Sequence, residues 1–187
     1  MTRIPRKIML LYSLAAILTL AACGDKQNNA AGAAVGQTVA AAQFGIGLPA
    51  PDFALQDIHG QKVTLSSHKG KAVIVDFWAT WCAPCRIVMP HLQELSQKYP
   101  DQLAVLAVSL DQNPLAVVPP FVDRMGLTFT ILADPAAMQV AQQWGGIRSI
   151  PTAFLIDRDG KILHQWVGVH PRGEYEQKIR QVLGLEV

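Results

Sequence analysis

A mixed α/β domain, with a central sheet covered by helices on both faces, is the fold class that this sequence predicts. Lys71 to Trp78 and Leu103 to Leu110 are apolar, β-branched runs of the kind that form central strands buried on both faces. Between them Val88, Leu92, Leu95 and Tyr99 recur at helical spacing, so the unit reads as βαβ, with parallel strands and a right-handed crossover. Thr152 to Ile156 and Ile162 to Val167 flank the turn Asp157-Arg158-Asp159-Gly160 and form an antiparallel hairpin, which makes the sheet mixed.

The chain opens on an address. Met1 to Lys7 is basic, Ile8 to Leu20 is apolar apart from Ser13 and Thr19, and small residues lead into Cys23, which is a secretory signal pattern. The apolar run is 13 residues long, short against the roughly 20 needed to cross a bilayer as a helix. Leu20-Ala21-Ala22-Cys23-Gly24 looks like a bacterial lipobox, which implies cleavage before Cys23 and lipidation of that residue. The alternative is a plain signal peptide cut near Ala22. Gly24 to Gly47 is rich in Ala, Gly, Gln and Asn, lacks apolar periodicity, and reads as a flexible tether. The predicted organisation is a signal peptide over 1–22, a lipidated cysteine with its tether over 23–47, and one folded domain over 48–187.

Within that domain, Phe53 to Gln56 and Gln61 to Leu65 surround Asp57-Ile58-His59-Gly60 and predict an N-terminal β-hairpin. After the βαβ unit, Pro114 to Met125 is expected to be helical in part, with Pro119-Pro120 interrupting it, and Phe129 to Leu132 to be a short strand. Ala136 to Trp144 reads as a helix stopped by Gly145-Gly146, and Glu174 to Leu183 as a closing helix carrying Ile179, Val182 and Leu183.

Half of the residues are hydrophobic and 16% are charged, a globular composition. The formal charge of +2 owes three of its cations to Arg3, Arg6 and Lys7, so the remainder of the chain is slightly acidic. With no basic stripe, nucleic-acid binding is set aside.

The chemistry points to Trp81-Cys82-Ala83-Pro84-Cys85. Two cysteines separated by two residues can form a disulfide or bind a metal. Here the pair follows a strand and opens a helix, expected to begin near Cys82, whose free N–H groups and dipole would stabilise a Cys82 thiolate. Cys82 is then the exposed nucleophile, Pro84 fits the first turn where no N–H is needed, and the more shielded Cys85 resolves the mixed disulfide. A zinc site would need further ligands, and there is no second Cys-x-x-Cys and no His-x₃₋₅-His near the pair; His59, His68, His91, His164 and His170 are scattered and read as surface or satisfied histidines. No metal and no cofactor is expected. A simple structural disulfide is the other reading of the pair. Asp76 interrupts an apolar strand just before the cysteines. A carboxylate there is costly unless neutral or hydrogen-bonded, which predicts a raised pKa and proton exchange with Cys85; a purely structural acid is the alternative.

Val75-Asp76-Phe77-Trp78-Ala79-Thr80-Trp81-Cys82-Ala83-Pro84-Cys85 and Gly146-Ile147-Arg148-Ser149-Ile150-Pro151-Thr152 resemble the two signature segments of thioredoxins, in order and spacing. With an opening hairpin and an insertion near Pro114 to Leu132, the layout from about Pro49 to Leu183 is similar to the lipoprotein or membrane-anchored TlpA-like branch. That resemblance implies a thioredoxin fold, a cis Pro151 facing the cysteines, and Ile150 backbone groups that pair with a substrate strand. Trp81, Ala83 and Pro84 would contact substrate, while Trp78 would be mainly core. Two departures stand out. Many TlpA-like reductases carry a Glu six residues after the first active cysteine, where this chain has Val88, and Leu103 to Leu110 lacks the lysine that thioredoxins often place near the buried acid.

The function expected from these residues is a membrane-tethered, extracytoplasmic thiol:disulfide oxidoreductase on a periplasm-facing surface. It would reduce disulfides of secreted proteins with electrons from a membrane donor protein, for example in cytochrome c maturation or oxidative-stress repair. A disulfide oxidase or isomerase is the alternative direction, since the same motif class contains oxidants and each 30 mV of potential amounts to only about 1.4 kcal/mol. A peroxidase would need Pro-x-x-x-Thr-x-x-Cys, where Val75 and Ala79 stand. A lipoprotein that binds metal or unfolded chains is the non-enzymatic alternative.

Overall fold

The computed structural model describes residues 44–185, so the signal segment, Cys23 and most of the tether lie outside the described residues. Strands β1 (Ala54–Gln56) and β2 (Lys62–Thr64) form the expected hairpin, and a 3₁₀ turn (Leu65–His68) follows. The βαβ unit is β3 (Ala72–Trp78), α1 (Cys85–Lys98) and β4 (Leu103–Ser109). Then come α2 (Pro114–Met125), β5 (Thr130–Leu132), α3 (Ala137–Gln143), β6 (Thr152–Ile156), β7 (Ile162–Val167) and α4 (Arg172–Leu183). The five-stranded sheet has the order β5-β4-β3-β6-β7, with β3, β4 and β5 parallel and β6 and β7 antiparallel to their neighbours. This is the mixed, two-sided architecture expected.

Every residue of β3 is buried, as its apolar sequence requires of a central strand. Alternation then divides it. Val73, Val75 and Phe77 face the hairpin and α3, where Phe77, Trp144 and Phe154 meet edge to face at centroid distances of 5.1–6.1 Å. Ala72 and Ile74 face α1 and α4, packing with Val88, Leu92, Leu95, Tyr175 and Ile179, and Trp78 continues this face toward α2.

Three expectations change. Helix α2 runs unbroken through Pro119 and Pro120, because the carbonyls that lose partners there belong to Leu115 and Ala116, on an exposed stretch that water can reach. Phe44 to Gly47, assigned by sequence to the tether, pack on the domain: Phe44 lies against Trp144 and Phe154, and the Gly47 N–H donates to the Ile162 carbonyl at 2.7 Å. Helix α1 begins at Cys85 rather than near Cys82, since Pro84 takes the capping position with helical angles and Cys82 stays in the preceding turn.

Candidate redox site

Antiparallel pairing of β3 with β6 builds the site. Phe77 opposes Thr152, so the end of β3 lies beside the start of β6, and the loops that continue them, Ala79 to Pro84 and Ser149 to Pro151, are neighbours. Cys82 and Cys85 are joined by a disulfide with a Cα–Cα distance of 5.3 Å. The Cys85 N–H donates to Cys82 Sγ at 3.2 Å, and the Ile150 carbonyl oxygen lies 3.7 Å from the same sulfur. The Ile150–Pro151 peptide bond is cis. Behind it, the Thr152 hydroxyl donates to the Ser149 carbonyl at 2.7 Å, and the Gly168 N–H to the Pro151 carbonyl at 2.8 Å.

The two sulfurs are unequal, though less so than the sequence suggested. Cys85 is sealed, with no accessible surface, beside Trp78, Ala107, Met89 and Phe121. Cys82 retains 4% exposure, so the expected open nucleophile is in fact at the rim, reached by solvent from one side. Trp81, at 67% exposed, stands out beside it with Ala83 and Pro84 also exposed, whereas Trp78 is wholly buried. Thus Trp81, Cys82, Ala83, Pro84, Ile150 and Pro151 come together at one end of the sheet. Val88, at the position of the TlpA-like Glu, is buried among apolar neighbours.

Asp76 sits on β3 between Ala107 of β4 and Ala153 of β6, with no accessible surface and no hydrogen-bond partner among the described residues for either oxygen. Burial pushes its carboxyl well above the ordinary range. It is the acid the sequence singled out, and its surroundings are as apolar as expected.

A polar brace ahead of the cysteines escaped the sequence reading. Asp111, just beyond β4, accepts hydrogen bonds from the Thr80 N–H (3.0 Å), the Thr80 hydroxyl (2.7 Å) and the Ser109 hydroxyl (2.9 Å). The Thr80 carbonyl accepts from Arg86 Nη2 at 3.0 Å. The head of the turn that presents Trp81 and Cys82 is thereby held through the N–H, hydroxyl and carbonyl of Thr80. The available signal was an acid closing an apolar strand run on the loop side.

Among the described residues no group of three or more His, Cys, Asp or Glu side chains is placed to hold a metal. A cleft of about 190 Å³ lies at the far end of β3, lined by Pro49, Leu65, Val73 and Ile156, away from the cysteines.

The AhpC/TSA family model matches residues 46–165. The chain is 36% identical over 138 residues to a thiol-disulfide oxidoreductase ResA of Bacillus anthracis, covering 73% of this chain and 78% of that protein. It is 39% identical over 147 residues to the thioredoxin-like protein YneN of Bacillus subtilis, covering 76% and 85% of the two chains. A crystal structure of a putative thiol:disulfide interchange protein DsbE from Chlorobium tepidum superposes with a TM-score of 0.70 at 39% identity, covering 76% of this chain and all of that one. A cysteine pair at disulfide distance beside a cis proline, on a fold shared with these relatives, makes the chain a member of the AhpC/TSA thioredoxin-like family and a thiol-disulfide oxidoreductase.

Proposed function

We propose that this oxidoreductase reduces disulfides of secreted proteins from a periplasm-facing membrane surface, where lipid on Cys23 would hold it. The observation that carries the chemistry is the unequal pair: Cys82 at the rim under the Ile150 carbonyl, Cys85 sealed behind it. In the dithiol form the Cys82 thiolate, stabilised by the Cys85 N–H, attacks one sulfur of a substrate disulfide. The substrate S–S bond breaks, a mixed disulfide forms, and the departing substrate thiolate takes up a proton. Asp76 then accepts the Cys85 proton, and Cys85 attacks Cys82 Sγ, which forms the internal disulfide and expels the second substrate thiolate. Two electrons have passed to substrate, and a membrane dithiol donor returns them in a separate exchange.

Support for the location is the signal pattern and lipobox at Leu20 to Gly24. Cytochrome c maturation is one process that needs such a reductant, since haem attachment at Cys-x-x-Cys-His requires free thiols. Cys85→Ser removes the resolving thiol, so mixed disulfides with natural partners accumulate and are seen on diagonal gels, whereas Cys82→Ser captures nothing. A tagged Cys85→Ser protein that traps no partner in cells, while the wild type exchanges disulfides, overturns this division of labour. Cys23→Ser tests the anchor: the domain leaves the membrane fraction with its exchange activity in vitro intact.

A further inference from the structure

Asp76 has no partner on its own strand or on either neighbour, and β4 carries no lysine, so the groups that answer its charge must come from another element. Along its row of the sheet lie Ala107, Asp76, Ala153 and Trp166, two alanines flanking the acid and an indole beyond. Helix α4 lays Tyr175 on this same face. Its ring meets Trp166 at a centroid distance of 4.4 Å and packs in one cluster with Ile74 and Ala153, which flank Asp76 along and across the sheet. Tyr175 is wholly buried, and its hydroxyl, like both Asp76 oxygens and the Trp78 indole N–H two residues along β3, has no hydrogen-bond partner among the described residues. The Asp76 charge also acts on the Tyr175 phenol, which burial first and then this carboxylate push upward. Buried polar groups beside one another, without direct bonds and next to two alanines, are the setting in which a buried water is held by two to four protein partners.

We propose that Tyr175 is a positioning residue for disulfide exchange, its hydroxyl holding the ionised Asp76 carboxylate through one buried water. The phenol is a neutral donor where thioredoxins often use a lysine. It stabilises the charged form that accepts the Cys85 proton without adding a second buried charge. The inference rests on the assignment of Asp76 as that base.

Around Asp76 the packed elements present few titratable groups. Strands β4 and β6 offer alanines, β7 offers Trp166 with His164 beside it, α1 offers Cys85 and, farther along, His91, and α4 offers Tyr175. Glu174 and His170 form an outer pair, Glu174 accepting from the Trp166 indole. Of these groups only Tyr175 is altered in the test.

Tyr175→Phe keeps the ring and removes the hydroxyl. In the oxidised full chain neither sulfur titrates, so the side-chain carboxyl ¹³C resonance of Asp76 reports that group directly. Its midpoint is expected to rise by about one pH unit in Tyr175→Phe, the tenfold weight of one hydrogen bond to a charged group. In the reduced enzyme the pH–rate profile moves alkaline by the same amount, and adding Tyr175→Phe to Asp76→Asn changes nothing more. Should Tyr175→Phe fail to fold, full-length protein labelled with 3-fluorotyrosine, a stronger donor, gives the opposite sign: the Asp76 midpoint falls. An unmoved midpoint in the variant used overturns the role of Tyr175 alone. An Asp76→Asn enzyme with the wild-type pH–rate profile overturns the Asp76 assignment and takes the role of Tyr175 in exchange with it.

Discussion

Val73, Val75 and Phe77 turn one face of β3 toward the hairpin and α3, whereas Ile74, Asp76 and Trp78 turn the other toward α1, α2 and α4. The first face is a continuous apolar contact whose aromatic rings lock together, with the Trp144 indole N–H as its one buried unpartnered side-chain group among the described residues. The second holds Asp76, the Trp78 indole and the Tyr175 hydroxyl, all buried and without partners among the described residues, behind the cysteines. A single strand thus packs the domain with one set of alternate residues and stores costly polar groups with the other. Polar cost is concentrated on the side of the proposed proton transfer, where a fold devoted only to stability would remove it.

Substitutions on the two faces should therefore have opposite signatures. Phe77→Ala empties the centre of the aromatic cluster and should lose about 3–5 kcal/mol in chemical denaturation. That is a large share of the roughly 5–15 kcal/mol that holds a domain together. The surviving folded fraction should keep its exchange rate, because the cavity opens away from the cysteines. A loss of turnover per folded molecule comparable to that of Asp76→Asn would erase the distinction between the faces.

Asp76→Asn, one residue away, should reverse the pattern. Turnover of a model disulfide should fall by about 10² to 10⁴ near neutral pH, the usual worth of general-base assistance, with a smaller deficit at high pH where Cys85 ionises unaided. Stability should stay level or rise. Folding raises the carboxyl above its ordinary 3.8, so between that value and the folded one the native state holds a proton that the unfolded chain has released. Its contribution is fully present below the unfolded value and is lost as pH rises through the folded one. The stability of wild type relative to Asp76→Asn should fall with pH across this window, and parallel curves would show that burial does not perturb the acid.

How much of this was legible depended on whether a feature is local in the chain. The strands, the hairpins, the amphipathic α1, the cysteine pair and the buried Asp76 each announce themselves within a few residues, because alternation, helical spacing and interruption are local patterns. Tyr175 was not singled out, although it sits four residues before Ile179 on the apolar stripe of α4, since nothing in a helix says which strand residue it will cover. Asp111 and Thr80 meet only because β4 and β3 are paired. The reach of α2 through two prolines was misjudged because the cost of a lost N–H depends on whether water can reach the freed carbonyl, which only the packed structure decides. Cys82 looked more exposed than it is, since the Ile150 loop that covers it is 68 residues distant in sequence.

The rim of the apolar face offers a smaller test. Gly145 has φ of +82°, and a Cβ there would stand 2.9 Å from the ring of Phe44. Gly145→Ala should cost about 1–3 kcal/mol, the range for a non-glycine residue held in a left-handed conformation plus displacement of the ring. Adding Phe44→Ala should recover only the steric part. If the double variant matches the sum of the two single ones in denaturation, Phe44 does not seat against Gly145.

The smallest effect is expected at the edge of the polar face, where α1 and α4 are clamped by charge. Lys98 and the Tyr99 hydroxyl both donate to Glu176, and Arg172 Nη1 donates to its other oxygen at 2.9 Å, while Arg172 Nε pairs with Glu94 at 3.3 Å. The Lys98 hydrogen bond, followed by that of Tyr99 and the nearby cations, holds the Glu176 carboxyl below its usual range. Here the sign is opposite to that of Asp76: stability is present above the unfolded value of 4.5 and is lost as pH falls through the folded one. Because Lys98 is half exposed and Arg172 nearly so, solvent screens the network, and Glu176→Gln should cost only about 0.2–1 kcal/mol at low salt and less in 1 M salt. Denaturation of both proteins at two salt concentrations, and across pH 3 to 7, measures this directly. Turnover and its pH profile should not change, since the clamp lies at the far end of α1 from Cys85 and its Glu176, although next to Tyr175 in α4, turns outward to Lys98 and Arg172. A shifted profile in Glu176→Gln would mean that the angle between these two helices tunes the acid, and that the polar face works as one unit from its rim to the cysteines.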